Sequence, residues 1–355
     1  MKKSNTAVIC LSPNNGGMEI DTIKLSKKLS LHSNIVLLAK ENGHIANSED
    51  EYQGYNISLE KVNFKSSISL SIYLKAKSII KKYNIKNVIF FGASELKSLF
   101  FAFFGHEINL IIRHGTTKST RKKDFFHKLI YSKVNYHVSI SEHLEKNIRF
   151  IIPFGKDSKL KIIYPSIDTP NTLNEVNSGI NIIHTGRITG GKGQLDAILA
   201  CEVLHQNKID FNFLIVGDFE NEKYKQKFMT IYNTLPYKDS VQIIGFAKDV
   251  NPLLNKSNIF LFPSSGEGFG NSFIEALSHG LIGISYQNTT FYEFQNLGLC
   301  FHSVENKNIE QLKQTLLNIV KNLKNETAKS SKNIHIIKKI FSVENEINSY
   351  LEILI

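Results

Sequence analysis

The sequence predicts an α/β protein made of two doubly wound, parallel-sheet domains. Short apolar runs of strand length alternate with helical stretches along the whole chain, which is typical of βαβ units. The 355 residues suffice for two domains of ordinary size, although length alone would also allow one large domain. A composition shift near residue 170, where KIIYPSIDTP is followed by NTLNEVNSG, is typical of a linker. We therefore expect one domain over residues 1–170, a second over 171–340, and a closing helix over 341–355.

The first half of the chain holds all of the excess positive charge. The formal net charge is +11; residues 1–170 contribute +12 (26 Lys and Arg minus 14 Asp and Glu) and residues 171–355 contribute −1 (17 minus 18). A basic first domain suggests an anionic partner such as phospholipid, a phosphorylated glycolipid or nucleic acid. Surface lysines that only confer solubility are the alternative. We do not expect nucleic acid, because the basic residues are scattered and no aromatic–basic RNA motif or zinc spacing occurs.

The chain gives no signal for a membrane span, a secretory leader or a disulfide framework. No apolar run reaches the length of a membrane-spanning helix, and the N-terminal run MKKSNTAVICLS is short and alternates like a strand. The three cysteines, Cys10, Cys201 and Cys300, are far apart and lack metal-ligand spacing. A reduced, cytoplasmic compartment is therefore expected.

In the first half, strands alternate with helices. Apolar runs predict strands over residues 6–12, 34–39, 57–62, 87–92, 108–113 and 135–140. Gly16 and Gly17 follow the first strand, where the chain either passes close to a ligand or makes a tight turn. Arg113 and His114 end a strand at the edge where open α/β sheets bind ligands. A functional role for His114 is expected, against a histidine satisfied by the backbone.

The stretch KSTRKKDFFHKLIYSKV, over residues 118–134, is amphipathic. It places the cations Arg121, Lys122 and Lys123 beside Phe125 and Phe126. Such a segment can lie on an anionic membrane or bind a phosphorylated lipid. Equally, its Phe and Leu positions can face the core while the lysines face water. Both interpretations stay open at this point. The next strand ends in SISEHL, which predicts a helix capped by a serine.

The second half opens with a strand over residues 180–185, followed by GRITGGKG and a helix. Arg187 and Lys192 lie in the loop between them, where cations can neutralise a diphosphate and stabilise it as it leaves. Further strands are expected over residues 211–216, 241–244 and 259–262, and closing helices over 308–324 and 341–354.

The stretch IFLFPSSGEGFGNSFIEALSHG predicts a strand, a glycine-rich loop over residues 263–270, and a helix over 272–279 that ends at Gly280. Loop amides and a helix N-terminus favour an anion such as phosphate. Glu267 and Glu275, with seven residues between them, can accept hydrogen bonds from hydroxyl groups. Phosphate and hydroxyls together indicate a sugar nucleotide.

These motifs resemble those of a known enzyme family. The E-x7-E spacing with GFGN inside it is similar to the signature of the retaining family 4 glycosyltransferases, which have the GT-B fold. The G-R-x4-K-G run resembles their diphosphate-binding element, and the P-x-x-D in PSID resembles the segment that joins their two domains. The resemblance implies two Rossmann-like domains with a cleft between them and a C-terminal helix that crosses back to the first domain.

The resemblance also implies roles for residues. Glu267 would contact the donor sugar, Glu275 would hold the ribose, and the loop after the strand at 241–244 would approach the base. The expected catalytic residues are His114, Arg187, Lys192 and Glu267. The expected donor-binding residues are Gly16, Gly17, Gly186, Arg187, Lys192, Phe246, Glu267, Gly268, Phe269, Gly270, Asn271, Ser272 and Glu275. The expected acceptor or membrane contacts are Arg121, Lys122 and Lys123.

The implied activity is transfer of a hexose-type sugar from a nucleotide diphosphate donor, a UDP-sugar, to a hydroxyl of a glycan or lipid-linked acceptor. Retention of configuration follows from the family, as does a place in lipopolysaccharide or other surface polysaccharide synthesis. No D-x-D pair occurs, so neither a metal nor another cofactor is expected. A cytoplasmic enzyme with peripheral contact to the inner membrane face fits this activity. A GT-B epimerase and, from another class, a basic nucleic-acid-binding protein are the alternatives.

Overall fold

A computed structural model describes residues 4–170 and 178–355. The expected linker therefore lies largely outside the described residues, since 171–177 are not among them. The chain divides into two compact units, which are described separately. Unit 1 comprises Met1–Pro165 and Val343–Ile355, and unit 2 comprises Ser166–Ser342. The sequence had suggested boundaries at 170 and 340.

Unit 1 is built on a sheet of seven parallel strands in the order β3-β2-β1-β4-β5-β6-β7. The strands are β1 (Asn5–Cys10), β2 (Asn34–Lys40), β3 (Ile57–Val62), β4 (Ile85–Phe91), β5 (Asn109–His114), β6 (Tyr136–Ser139) and β7 (Lys159–Ile162). The order reverses between β1 and β4, which is the doubly wound arrangement that the sequence predicted. Helices cover both faces, so the strands are apolar on both sides.

Helices of unit 1 form two layers. They are α1 (Gly17–Leu29), α2 (His44–Asn47), α3 (Leu70–Tyr83), α4 (Leu96–Phe103), α5 (Phe125–Tyr131), α6 (Glu142–Ile151) and, at the end of the chain, α16 (Val343–Leu351). The buried side chains of α3, α4 and α5 share one core cluster, and those of α1, α2 and α16 share the other. The predicted serine cap is confirmed: Ser141 Oγ accepts a hydrogen bond from the Leu144 amide at 3.1 Å and starts α6.

The last residues of the chain are fixed to the sheet of unit 1 by two asparagines. Asn87 Nδ2 donates to the carbonyl of Ile355 at 3.0 Å, and the Ile355 amide donates to Asn87 Oδ1 at 3.0 Å. Asn109 Nδ2 donates to the carbonyl of Ile353 at 2.6 Å. Ile347, Tyr350 and Ile353 complete the core on that face. Residues 343–355 are therefore an integral part of unit 1.

Unit 2 has a sheet of six parallel strands in the order β10-β9-β8-β11-β12-β13. They are β8 (Ile180–Thr185), β9 (Phe211–Val216), β10 (Val241–Gly245), β11 (Ile259–Phe262), β12 (Ile282–Tyr286) and β13 (His302–Val304). The order reverses between β8 and β11, so the loops after these two strands meet at the carboxyl edge of the sheet. Ligands bind at this point in open α/β sheets.

The helices of unit 2 are α7 (Gln194–Ala200), α8 (Glu202–Gln206), α9 (Glu222–Tyr232), α10 (Asn251–Asn255), α11 (Asn271–Ser278), α12 (Phe291–Asn296), α13 (Ile309–Lys321), α14 (Leu323–Ser330) and α15 (Lys332–Ile340). α11 packs closely on β12 at Gly283, where a Cβ atom would lie 2.7 Å from the Phe273 ring. Every predicted strand is present to within two residues. β7, β12 and β13 were not predicted.

Candidate donor site at the carboxyl edge of unit 2

Two loops touch at the point where the strand order of unit 2 reverses. The loop after β8 ends at Gly193, whose φ is +77°, and a Cβ atom there would lie 1.9 Å from the carbonyl oxygen of Pro263. The Ser265 amide donates to the Gly191 carbonyl at 2.9 Å. Glycine is required at Gly193 because both the backbone conformation and the close approach exclude a side chain. This contact brings the two predicted donor-site loops together.

Glu267 and Lys192 form an ion pair across these loops. Lys192 Nζ lies 2.8 Å from each carboxylate oxygen of Glu267. Ser264 Oγ donates to Glu267 Oε1 at 2.6 Å, and the Glu267 amide donates to Thr289 Oγ1 at 3.0 Å. The Glu267 side chain is 8% exposed and that of Lys192 is 34% exposed. The carboxylate is therefore held in place, while its cation remains accessible from solvent.

A buried histidine holds the loop that carries Lys192. His184 Nε2 lies 2.9 Å from the carbonyl oxygen of Lys192, so Nε2 carries the proton and donates it. Its ring packs against Phe262, with centroids 4.9 Å apart. Burial lowers the pKa of His184 to about 4. The imidazole is neutral near pH 7 and acts on Lys192 only through the backbone.

The second half of the E-x7-E motif lies on α11. Gly270 precedes this helix with φ +90° and supplies no side-chain cap. The first-turn amides of α11 and its dipole thus begin at the end of the glycine-rich loop, beside Glu267. The remaining expected residues lie between the two glutamates: Gly268 and Phe269 are in the loop, and Asn271 and Ser272 are in the first turn of α11. Glu275 lies one turn into α11 and is half-buried.

Arg187 and Phe246 lie at the same edge of the sheet. Gly186 directly follows β8 and has φ +138°, and the next residue, Arg187, has an exposed side chain. Phe246 comes after β10 and is 61% exposed; its amide donates to Asp218 Oδ1 at 3.1 Å. β10 is two strands from β8, about 10 Å away at the usual strand spacing. An exposed aromatic ring at that distance can stack on a base.

The predicted residues of unit 1 lie at the carboxyl edge of its own sheet. Gly16 is extended, with φ −156°, and Gly17 begins α1. Gly17 is not left-handed, and a Cβ atom there would have no atom within 4 Å. Neither glycine adopts the left-handed conformation that only glycine tolerates readily. Their expected contact with the donor stays a prediction.

His114 ends β5 and is fully buried. Its Nδ1 lies 2.9 Å from Lys118 Nζ, and its Nε2 lies 3.0 Å from His137 Nδ1. An ammonium can only donate, so His114 accepts at Nδ1 and donates through Nε2–H to His137. His137 then carries its proton on Nε2, an atom with no hydrogen-bond partner among the described residues. The two rings stack with centroids 5.3 Å apart.

Burial keeps this cluster neutral or weakly basic. Desolvation, with the positive charge of Lys118, lowers the pKa of His114 well below its usual range and that of His137 to about 3. Desolvation, followed by repulsion from Lys122, lowers the pKa of the Lys118 ammonium to about 8. Both ring nitrogens of His114 are engaged by the protein. Its catalytic role stays a prediction, and Lys118 is the more accessible end of the chain of hydrogen bonds.

Arg113, next to His114 in β5, is buried and links β5 to α1. It is 4% exposed, donates from Nη2 to Asp21 Oδ2 on α1 at 3.0 Å, and lies over the Phe91 ring. Its guanidinium is therefore buried between β4, β5 and α1.

The amphipathic segment divides between the two interpretations left open. Ile130 and Tyr131 are buried in the core, as the core-facing interpretation predicts. Phe125, Phe126 and Leu129 are exposed instead.

Among the described residues, no helix has the length and apolar character needed to cross a membrane. Within residues 4–170 and 178–355, no cluster of three or more His, Cys, Asp or Glu side chains could hold a metal ion.

Several contributors were not predicted. Ser264 and Thr289 hold Glu267, His184 supports Lys192, and His137 pairs with His114. The serine adjoins the E-x7-E motif and could have been suspected from its place in the loop. The others are single residues far away in sequence, and no pattern points to them.

The sequence is similar to those of known proteins. Residues 168–335 match the family model described as "Glycosyl transferases group 1". The chain is 25% identical over 286 residues to the capsular polysaccharide biosynthesis glycosyltransferase CapH of Staphylococcus aureus, covering 77% of this chain and 78% of the relative. It is 24% identical over 228 residues to the N-acetylgalactosamine-N,N'-diacetylbacillosaminyl-diphospho-undecaprenol 4-alpha-N-acetylgalactosaminyltransferase of Campylobacter jejuni, covering 58% of each.

The fold is also that of solved glycosyltransferase structures. HepE of Anabaena, determined in complex with UDP and glucose, superposes with a TM-score of 0.81 over 98% of both chains at 16% identity. At 16% identity, this similarity establishes a shared fold and nothing more. Residues 168–335 thus match a glycosyltransferase family, and the chain has the fold of solved GT-B glycosyltransferases.

Proposed function

We propose that the protein transfers a hexose-type sugar from UDP to a hydroxyl of a glycan or lipid-linked acceptor in bacterial surface polysaccharide synthesis, with retention of configuration and without a metal. The observation that carries the proposal is the Lys192–Glu267 pair at the edge where the strand order of unit 2 reverses. It joins a cation suited to diphosphate and a carboxylate suited to sugar hydroxyls in one place.

The donor would lie along this edge. Arg187 and Lys192 would neutralise the diphosphate, together with the amides at the start of α11, and Glu275 would accept hydrogen bonds from the ribose. Negative charge grows on the phosphate as the glycosidic bond breaks, so cations aimed there stabilise the transition state more than the ground state. Lys192 would also have to exchange part of its contact with Glu267 for phosphate. Glu267 would then be available to the sugar.

UDP is proposed because HepE was solved with UDP and glucose. The surface-polysaccharide setting rests on the similarity to CapH, and a lipid-linked acceptor rests on the Campylobacter relative, whose name specifies a diphospho-undecaprenol acceptor. Such an acceptor would be met at the inner face of the plasma membrane, with Arg121, Lys122 and Lys123 as contacts of unit 1. Neither similarity favours the epimerase or nucleic-acid alternatives.

Thermal unfolding with UDP-, GDP-, ADP- and CMP-sugars tests the donor. A ligand at a hundred times its dissociation constant stabilises the native state by about 2.7 kcal/mol, so UDP-sugars should raise the midpoint by several degrees. Arg187→Ala and Glu275→Ala should lose this increase. Glu222→Ala, on the exposed side of α9, should keep it. If sugars of another nucleotide class stabilise the protein, UDP is the wrong donor nucleotide but the donor site stands. If no nucleotide sugar stabilises it, the proposed donor site is wrong.

Product analysis tests the finer points. The anomeric proton coupling of the product, compared with that of the donor sugar, reports retention or inversion. Activity that persists in excess EDTA supports metal independence, and activity that is lost and returns with Mg²⁺ or Mn²⁺ contradicts it.

A further inference from the structure

Three buried aromatic side chains of unit 2 pack against one another next to the loop that carries Glu267. The Phe269 ring, which belongs to that loop, meets Phe294 of α12 and Phe341 edge to face, with centroids 5.4 Å and 5.5 Å away. Phe294 and Phe341 also contact each other, with centroids 6.3 Å apart. All three side chains are at most 2% exposed. Phe269 is thus anchored on two sides in the interior of unit 2.

The anchored ring fixes the backbone on which Glu267 packs. Thr290 Oγ1 donates to the Phe269 carbonyl at 3.0 Å. Gly270 follows, and a Cβ atom there would lie 3.6 Å from Cγ of Glu267 and 3.8 Å from the Phe294 ring. The Glu267 side chain therefore contacts the segment that Phe269 holds. A shift of the Phe269 ring would displace the Glu267 carboxylate, because close-packed interiors transmit such shifts.

Phe341 lies where the two ends of unit 2 are joined. The unit runs from Ser166 to Ser342, and the Phe341 carbonyl accepts a hydrogen bond from the Ile167 amide at 2.9 Å. The Phe341 amide donates to the Ile337 carbonyl at 2.8 Å, at the end of α15. The backbone of Phe341 is therefore held on both sides, and its ring has a fixed position from which to hold Phe269.

We propose that Phe341 is a positioning residue for the donor site: its ring, acting through Phe269, holds Glu267 in the geometry that receives the sugar of the donor. The inference rests on the proposed function, because Glu267 is assigned to the donor sugar there. Geometry of this kind matters for catalysis, since a misplacement of about 1 Å caused by a remote substitution can slow a reaction about a hundredfold.

A second buried phenylalanine separates this role from ordinary core packing. Phe211 is 6% exposed and is the first residue of β9, so it lies at the amino edge of the sheet, opposite the donor loops. Replacing either Phe211 or Phe341 by leucine changes the packing of a buried ring, so both variants should lose stability. Only the change at Phe341 should alter the donor site.

Calorimetric titration of the full-length protein provides the first test. The titrants are UDP and the UDP-sugar that raises the unfolding midpoint of the wild type. Phe341→Leu should weaken binding of the UDP-sugar by about tenfold, which corresponds to one lost hydrogen bond to a charged group. Binding of UDP should hardly change, because the proposed contact of Glu267 is with the sugar. Phe211→Leu should bind both ligands like the wild type.

The ion pair between Lys192 and Glu267 provides a second test that needs no ligand. A double-mutant cycle of Lys192→Met and Glu267→Gln in urea denaturation measures the coupling between them. This coupling should be smaller in the Phe341→Leu background than in the wild type, and unchanged in the Phe211→Leu background. Phe294→Leu, which alters the third ring of the cluster, should act in the same direction and replaces Phe341→Leu if that variant does not fold.

Two results would overturn the inference. The first is an equal loss of UDP-sugar affinity in Phe341→Leu and Phe211→Leu, and the second is a coupling between Lys192 and Glu267 that is the same in both backgrounds. A wild-type protein that binds no nucleotide sugar would contradict the proposed donor site instead. The coupling measurement would then still decide whether Phe341 positions Glu267.

Discussion

Lys192→Met should destabilise unit 2 because it leaves the Glu267 carboxylate buried without its cation. Breaking a fully buried pair from one side costs about 3–5 kcal/mol. Lys192 is 34% exposed, so solvent screens part of the interaction, and Ser264 still donates to the carboxylate. We therefore expect a loss of about 2 kcal/mol. For a unit of this size, that corresponds to a fall in midpoint of about 4–8 °C.

A double-mutant cycle isolates the pair. Glu267→Gln alone should cost about 1 kcal/mol, because the released ammonium can be hydrated. The double variant should be more stable than the sum predicts, with a coupling energy of about 1 kcal/mol. Urea denaturation of the four proteins at pH 7.5 gives these free energies. Lys313→Met is the control, since Lys313 pairs with glutamates that are largely exposed. The reasoning would be refuted if the two single changes in free energy of unfolding added exactly in the double variant. It would also be refuted if Lys192→Met lost no more stability than Lys313→Met.

Three further predictions concern the backbone, the buried histidines and a helix cap. Gly193→Ala should lower the free energy of unfolding by at least about 3 kcal/mol or prevent folding, because its Cβ atom would overlap the Pro263 carbonyl. Gly191→Ala is the control. The nearest atom to its Cβ would be 3.6 Å away, so its midpoint of thermal unfolding should be close to that of the wild type. The pKa values of His114 and His137 are lowered in the folded state, so the unfolded state binds more protons below about pH 6.5 and stability falls as the pH drops, by up to about 1.4 kcal/mol per pH unit for each group. His114→Gln should remove about one such contribution from the slope measured by urea denaturation between pH 6 and pH 5, and an unchanged slope would contradict the assignment. Ser141→Ala removes the cap of α6 and should cost about 1 kcal/mol, whereas an unaltered denaturation midpoint would show that the cap contributes nothing.

The sequence allowed the sheets to be predicted because buried parallel strands are continuous apolar runs, and β8 and β11 match their runs to the residue. The strands that escaped prediction lack this signal. β7 (KLKI) and β13 (HSV) are short and partly polar, and β12 contains Gly283, which the close Phe273 ring requires. Strand position was thus predictable where hydrophobicity alone determines it.

The donor site was predictable to the extent that its residues are close in sequence. Glu267 and Glu275 share one motif, and Lys192 was inferred from its own loop. Their pairing depends on the contact between Gly193 and Pro263, which is a property of the folded backbone. The position of Phe125 was undecided for a similar reason, since periodicity gives the apolar side of a helix without showing whether other residues cover it.

The return of the chain to unit 1 also has a consequence for biosynthesis. Ile347, Tyr350 and Ile353 supply core side chains to the face that α1 and α2 cover, yet the ribosome produces them after all of unit 2. Unit 2 is one continuous segment and can fold as soon as it has emerged. The face of unit 1 that includes Asn87 and Asn109 must wait until residues 343–355 have been made. A nascent chain therefore exposes apolar surface there throughout translation of the second unit, and this surface is where chaperones would be expected to act.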